Sequence, residues 1–561
     1  MIIDVRKYPG DPALRCDVCI VGAGPAGIVV ARELAKAGKD VILLESGGLT
    51  FEKRAHDLNR GEVADAHTHS PLEDYRRRRL GGATTSWGGR CVPFDTIDYE
   101  PRPFVPESGW PFDKAHIDPY HTRACAYLEL GDDAFRVRDA LPPPARDREM
   151  VPGLHSDEID TDSLYLFSPP TDFAAAHRRE LDASERVRLY LHANCLKIVR
   201  DCESRSVESI EAGEAGGPRL TVHARQFVLA AGGLEVTRLL LASGDLLPRG
   251  ADDSLDLVGR YYMCHIVHHL EVEFASADVI WDYEKTRAGA YCQRTISVTE
   301  QGQRALGLLN HRARIEHPPI ADPAHRNGVL STAYLVKRML SNRLLANRIR
   351  PMLGTLSRGV VEVRDAGGTE PARPSVVAHA RNLVTDLPQV VRFSNRWLRE
   401  RILSERKLPS MVLRNQANLY TLRIDAEQCP NPNSRVTLGE ERDALGQRRL
   451  KVDWRHTEAD VRNLARTSEI IGRALESSGA GKVRPGAPVD PQATGGHHIG
   501  TTRMGTSASR GVVDENCRVH GLDNLYIASS SVFPTCSYAN PTLMVLSLAI
   551  RLSDHLAGGR V

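Results

Sequence analysis

No stretch of eighteen or so uninterrupted apolar residues occurs in these 561 residues, so no membrane-spanning helix is expected. The N-terminus, MIIDVRKYPGDPALRCDVCIVGAG, lacks a basic region followed by an apolar run and a small-residue cleavage site, so no signal peptide is read. Charge imbalance is also missing. The formal net charge is +2, too small a field to argue for nucleic acid. The 11 cysteines are scattered and odd in number, which fits reduced thiols better than a disulfide framework. A cytoplasmic location is expected from these absences alone. There is no internal repeat and no low-complexity segment. What is present is ordinary globular composition, 41% hydrophobic and 26% charged. The length exceeds one ordinary core and implies two or three domains, or two interleaved ones.

The most readable segment is CDVCIVGAGPAGIVVARELAKAGKDVILLESGG. Val18 to Val21 is a short apolar strand, followed by Gly22, Gly24 and Gly27 in GxGxxG spacing. A helical pattern runs from Ala26 to Ala37, and a second strand, Val41 to Leu44, ends at Glu45 and Ser46. The first glycine permits the tight turn, the second lets backbone approach a pyrophosphate, and the third lets helix pack on strand. The helix start around Pro25 and Ala26 then presents free N–H groups and a positive dipole end to the phosphates. Glu45 stands where a carboxylate accepts hydrogen bonds from a ribose 2′-OH, which argues against NADP but does not separate NAD from FAD.

The next segment, RRRRLGGATTSWGGRCVPFDTIDYEPR, separates them. The run Arg76 to Arg79 reads either as a solvated face or as a neighbour of an anionic cofactor. Gly81, Gly82, Gly88 and Gly89 surround Ser86 and Trp87, a composition suited to holding backbone against something flat and bulky. Together with HHIGTTRMG, VVDENCRVHGLDNLYIASSSVFPT and ANPTLMVLSLAIRLSDHL near the C-terminus, this loop resembles the glucose-methanol-choline (GMC) family of flavin oxidoreductases. Within that family it resembles the bacterial branch that oxidises sugars and glycosides and is related to pyranose oxidase. FVLAAGGLEVTRLLLASG and EQCPNPNSRVTL resemble further family blocks, whereas about 275 to 409 matches no motif.

The resemblance implies an α/β chain, α+β overall. A Rossmann-type FAD-binding domain (1–95, 189–262 and 489–561) is interleaved with a substrate domain (96–188 and 263–488) built on an antiparallel sheet with helices. An Arg- and Leu-rich helical insertion is expected at about 333–407. The resemblance places Arg79, the glycine loop, Cys195, Ala231, Gly232, Ser529, Pro541 and Thr542 around FAD. Ser86 occupies the position at which some relatives attach flavin through histidine, so non-covalent FAD is expected. Ser529 stands where an acidic residue or glycine is usual.

The histidines need separate treatment. His67 and His69 have the HxH spacing of a metal hydrolase but lie in a polar loop. His265, His268 and His269 fall on a strand-like segment, where His265 and His269 share a face and read as packed or hydrogen-bonded. His497 and His498 point to opposite faces if their backbone is extended, and no carboxylate or cysteine nearby in sequence completes a tetrahedral site. No metal is expected. An alcohol oxidation instead asks for a neutral imidazole near the flavin. The family histidine stands three residues before the glycine of the GT pattern, which here is Gly500, so the resemblance selects His497 as base and Asn540 as the group holding the substrate oxygen. Asn540 before Pro541 also reads as a helix N-cap. Gln428 and His498 are candidate substrate contacts, although His498 reads first as packing or support facing away from His497.

The expected reaction is oxidation of a CH–OH group, a secondary hydroxyl of a sugar or glycoside, to the carbonyl, with hydride passing to flavin N5. Alternatives are an FAD-dependent oxidase or dehydrogenase of a non-sugar alcohol in natural-product metabolism, a GMC-type lyase with structural FAD, and an inactive flavoprotein. An NAD-linked reductase is disfavoured because no second GxGxxG-type site is seen. The electron acceptor, O₂ or another, and a homo-oligomeric state are left open.

Overall fold

The computed structural model describes residues 1–558 apart from 9, 202, 245, 247–253, 342–374, 405, 411, 412, 414–416, 485–488, 494 and 495. Its largest sheet has eight strands drawn from distant parts of the chain. Ala13–Val21 lies at the centre, parallel to Val41–Glu45 on one side and to Arg219–Leu229 on the other. Beyond Val41–Glu45 come Val187–Leu191 and Ile2–Asp4, both parallel. Arg219–Leu229 is long enough to pair twice more. Its first half meets Val207–Gly213 antiparallel, and its last residues meet Leu525–Ile527 parallel.

The centre of this sheet is buried on both faces, which is why Val18, Cys19, Ile20 and Val21 read as an unbroken apolar run. On one side Val18 and Ile20 pack with the helices Pro25–Lys36 and Thr542–Leu556. On the other, Cys19 and Val21 pack into a second cluster with Ile527, Val532 and Phe533. The C-terminal helix therefore closes on the first βα unit across more than 500 residues of sequence.

A second sheet has Ile266–Phe274 and Leu419–Ala426 antiparallel at its centre, with His311–Glu316 beside the latter. One face carries Leu270, Val272, Leu422 and Ile424 and is covered by Leu464, Ile471 and Leu475 of the helix Glu458–Ser477. By strand alternation, the opposite face carries Val267 and His269, Arg423 and Asp425, and Arg312, Arg314 and Glu316. The architecture is the expected α/β one, with an antiparallel sheet and helices forming the second part.

The expected FAD segment 1–95 also reaches outside the large sheet, because Gly61–Val63 pairs with Arg448–Asp453. Part of the expected insertion is helical, as Gly328–Ser341, Val376–Thr385 and Leu387–Trp397, and the rest of it, 342–374, lies outside the described residues. Among the described residues, no helix is long and apolar enough to cross a membrane.

Candidate active site

The phosphate loop has the form its sequence implies. Strand Ala13–Val21 turns at Gly22 into the helix that starts at Pro25. A Cβ on Gly27 would lie 1.9 Å from the Gly22 carbonyl oxygen, so only glycine lets helix and turn touch. A Cβ on Gly24, by contrast, would meet nothing within 4 Å, and the same holds for Gly88 and Gly232. These three glycines come from separate parts of the sequence and leave open space of the kind a bound dinucleotide fills.

Gly81 donates its N–H to the Ala23 carbonyl at 2.9 Å, which brings the glycine-rich loop onto the phosphate loop. Arg79 donates to the Leu49 carbonyl and keeps a buried Nε without a protein partner. A pocket lined by Ser46, Arg54, Leu58, His192, Asn194 and Glu214 opens beyond the ends of strands Val41–Glu45 and Val187–Leu191. The carboxyl ends of parallel strands are where ligands bind in open α/β sheets. Glu45 is buried, which pushes its carboxyl up, while the N–H groups of Gly47 and Ala23 at 2.9 and 3.0 Å oppose that rise. These residues fit FAD.

The arginine run is not a solvated face. Arg76 and Arg78 are nearly buried and both bind the Glu235 carboxylate, at 3.0 and 2.6 Å, and Arg238 joins them. Trp87 is half-buried and donates its indole N–H to the Thr171 carbonyl at 3.1 Å. Ser86 is exposed and bonds only weakly, at 3.4 Å, to the Ala83 carbonyl. Cys195 is buried on the strand Asn194–Arg200. Ser529 is buried and accepts the Ser531 N–H at 3.2 Å, which caps a short 3₁₀ turn.

The histidines are set by one backbone register. Met263 and Ile499 exchange both hydrogen bonds, at 2.9 and 3.1 Å, as an isolated antiparallel bridge. Two residues onward on one segment face two residues back on the other, so His265 and His497 stand opposite each other. Their ring centroids are 4.6 Å apart and their Nδ1 atoms 2.9 Å apart. Gly500 permits this approach, because a Cβ there would lie 2.2 Å from the Tyr261 carbonyl oxygen and its φ is +90°.

Arg90 Nε lies 2.5 Å from Asn540 Oδ1, and Asn540 Nδ2 lies 3.1 Å from His497 Nε2. Guanidinium only donates, so the amide oxygen faces Arg90 and the amide NH₂ faces His497. His497 Nε2 therefore carries a lone pair. Its proton sits on Nδ1 and is donated to His265 Nδ1, and His265 donates from Nε2 to the Cys536 carbonyl at 3.1 Å. Every group has one consistent role.

Burial holds the His497 pKa well below the usual imidazole value, with His265 and Arg90 adding to it and Asp425 opposing. Burial likewise lowers His265, to about 4. Both rings are neutral at pH 7. Asp425 is almost fully buried and receives Arg90 at 2.7 Å, Arg314 at 3.3 Å and Arg423 at 3.2 Å. Burial pushes its carboxyl up, but Arg90 and Arg423 outweigh this and hold it at about 2.

Two expectations need correction. Asn540 is not a helix cap: the helix Thr542–Leu556 begins after Pro541 with no side-chain capping bond. Its single amide is committed to His497 and Arg90 instead. Gln428 has no exposed surface. Its oxygen accepts from Cys264 N at 3.0 Å and Trp454 Nε1 at 2.9 Å, and its nitrogen donates to the Arg455 carbonyl. It braces the sheet and is removed from the candidate sugar contacts.

His498 faces away from His497, as alternation implies. Its Nδ1 lies 2.8 Å from the Tyr262 hydroxyl, which also meets His69 Nε2 at 2.9 Å and Cys264 Sγ at 3.4 Å. His69, Cys264 and His498 thus have ligand atoms within 4.8 Å of one another. All three side chains converge on the Tyr262 hydroxyl at hydrogen-bond distance. Burial raises the Cys264 pKa to about 12. The sequence pattern singled out His497 and Asn540 but not Arg90, His265, Asp425 or Tyr262. No linear spacing links those four, although His265 belongs to the HIVHH cluster and Arg90 directly follows the glycine loop.

A dinucleotide cradle beside a neutral imidazole and an amide defines an FAD-dependent oxidoreductase. Residues 15–72 match the FAD binding domain family and residues 430–549 match the GMC oxidoreductase family. The chain thus carries an FAD-binding domain at its N-terminal end and a GMC oxidoreductase domain at its C-terminal end. It is 24% identical to the 6'''-hydroxyparomomycin C oxidase of Streptomyces lividus over 98% of this chain and 94% of that protein. It is also 24% identical to the paromamine 6'-oxidase of Streptomyces fradiae, over 97% and 92% of the two chains. A solved fungal aryl-alcohol oxidase superposes with a TM-score of 0.53 at 13% identity, covering 97% of this chain and 99% of that one, which is a likeness of fold.

Proposed function

We propose that the enzyme oxidises a hydroxyl of a sugar or glycoside to the carbonyl, with His497 as base and Asn540 as the holder of the substrate oxygen. The observation that carries this is the contact of 3.1 Å between Asn540 Nδ2 and His497 Nε2, oriented by Arg90. FAD, when bound, supplies the hydride acceptor. The substrate hydroxyl takes the place of the Asn540 N–H at the single Nε2 lone pair, donates its proton there and accepts an N–H from the displaced amide. Nε2 takes that proton as the carbon loses its hydride. A base of this kind contributes about 10²- to 10⁴-fold.

Two things support a polyhydroxylated substrate. The sheet face bearing Asp425 also carries Arg314, Glu316 and Arg423, a dense set of donors and acceptors. The two Streptomyces relatives are named as oxidases of 6'''-hydroxyparomomycin C and of paromamine. Pro541 and Thr542, at the start of the final helix, are assigned to the flavin's pyrimidine edge, where a helix N-terminus favours developing negative charge.

Anaerobic mixing with a panel of sugars, glycosides and simple alcohols tests the proposal by loss of flavin absorbance. His497→Ala should retain FAD and lose at least a hundredfold in reduction rate. Wild-type rates in that variant refute the base. Bleaching by simple alcohols but by no sugar or glycoside refutes the substrate class, and no bleaching with any alcohol points to a lyase.

A further inference from the structure

The geometry points to His265 as a positioning residue for the oxidation: it accepts the Nδ1–H of His497, so that two facing imidazoles hold the substrate's proton as one unit. This rests on His497 being the base.

Three observations carry it. The backbone bridge between Met263 and Ile499 makes the two histidines a directly facing pair, so the contact follows from register and not from a flexible side chain. The hydrogen-bond roles permit one assignment only, with Nε2 of His497 bare on the Asn540 side and Nδ1–H committed to His265. His265 is itself fully buried and anchored to the Cys536 carbonyl, four residues before Asn540. Asn540, His497, His265 and Cys536 thus form a ring closed by the covalent chain 536–540, and the loop that carries the amide also positions the base.

The chemistry balances as follows. The substrate C–H bond breaks with its electron pair passing to FAD, the oxidant. The O–H proton moves to His497 Nε2, and the C=O bond forms. His497 is then an imidazolium whose Nδ1–H points at the neutral Nδ1 of His265. A neutral acceptor there stabilises the cation in a buried place, where an unpartnered N–H is costly. The charged and titratable groups whose fields reach the pair are Asp425 and Glu427, which favour the proton, and Arg90 and His498, which oppose it. The path ends at the Cys536 carbonyl, which cannot pass a proton on. The pair therefore stores the proton and returns it through Nε2 to the pocket.

The test compares His265→Asn with His265→Leu in FAD-loaded enzyme. Asn offers a carbonyl oxygen near the place of the imidazole Nδ1, whereas Leu offers no acceptor. Anaerobic flavin reduction should fall about ten- to a hundredfold in the Leu variant, a part of a general base's contribution. It should fall no more than about threefold in the Asn variant, with substrate Kd unchanged in both. The acid limb of kcat/KM should move to lower pH in the Leu variant, because the imidazolium has lost its acceptor. Equal rates in both variants, or a loss ordered by volume with Leu retaining more than Asn, overturns the inference. An active His497→Ala enzyme overturns the base assignment instead, so the two failures are distinct.

Discussion

Asp425 is the most heavily paired carboxylate beside His497, and Asp425→Asn is the sharpest test of the electrostatic reading. Three guanidiniums converge on a nearly fully buried group, which holds its carboxyl at about 2 against an ordinary 3.8. That difference of nearly two pH units corresponds to about 2–3 kcal/mol of stability at pH 7. The folded pKa is depressed, so the contribution is complete above the ordinary value and disappears as pH falls through about 2. Asparagine removes the charge and leaves Arg90, Arg314 and Arg423 short of a counterion. Urea unfolding at pH 7 should show a lower midpoint at unchanged slope. The gap between wild type and variant should stay constant down to about pH 5 and narrow between pH 4 and 2. Flavin reduction should also slow, because Arg90 loses the partner that aims it at Asn540. Equal midpoints at pH 7, or a gap as wide at pH 3 as at pH 7, would refute the assignment of Asp425 as a stabilising anion.

Asn540→Ala should leave the melting temperature within a few degrees of wild type, since the residue caps nothing, while flavin reduction drops more than tenfold; calorimetry and stopped-flow absorbance report the two separately. Gly24→Ala should fold normally, because the added methyl meets no protein atom, yet lose FAD affinity tenfold or more, read as flavin content after gel filtration. Acid precipitation of the wild-type protein should release all flavin into the supernatant, since Ser86 replaces the histidine used for covalent attachment in some relatives; flavin retained in the pellet contradicts this.

The phosphate loop and its terminal carboxylate were legible because they are adjacent in the chain. Strand, glycine turn, helix and terminal carboxylate occupy residues 18 to 45, and each imposes a local requirement that a sequence must spell out. His497 and Asn540 were legible only by their distance from Gly500 and Pro541, markers that the family resemblance supplied. The capping role read for Asn540 failed because propensity ranks a residue by its neighbours, and a competing amide partner 43 residues away in sequence took its place. The arginine run read two ways for the same reason. Its counterion, Glu235, lies more than 150 residues further along the chain.

By itself, then, the sequence determined the dinucleotide fold and the opposed directions of the His497 and His498 rings. The first follows from backbone conformations only glycine permits, and the second from the two-residue period of an extended chain. The tertiary structure decided which nitrogen of His497 is bare. That depends on Arg90 turning Asn540 and on His265 standing across a backbone bridge, contacts made between segments separated by 232 and 450 residues. A proton's location on a neutral imidazole is a property of both its hydrogen-bond partners, and here both partners are distant in sequence.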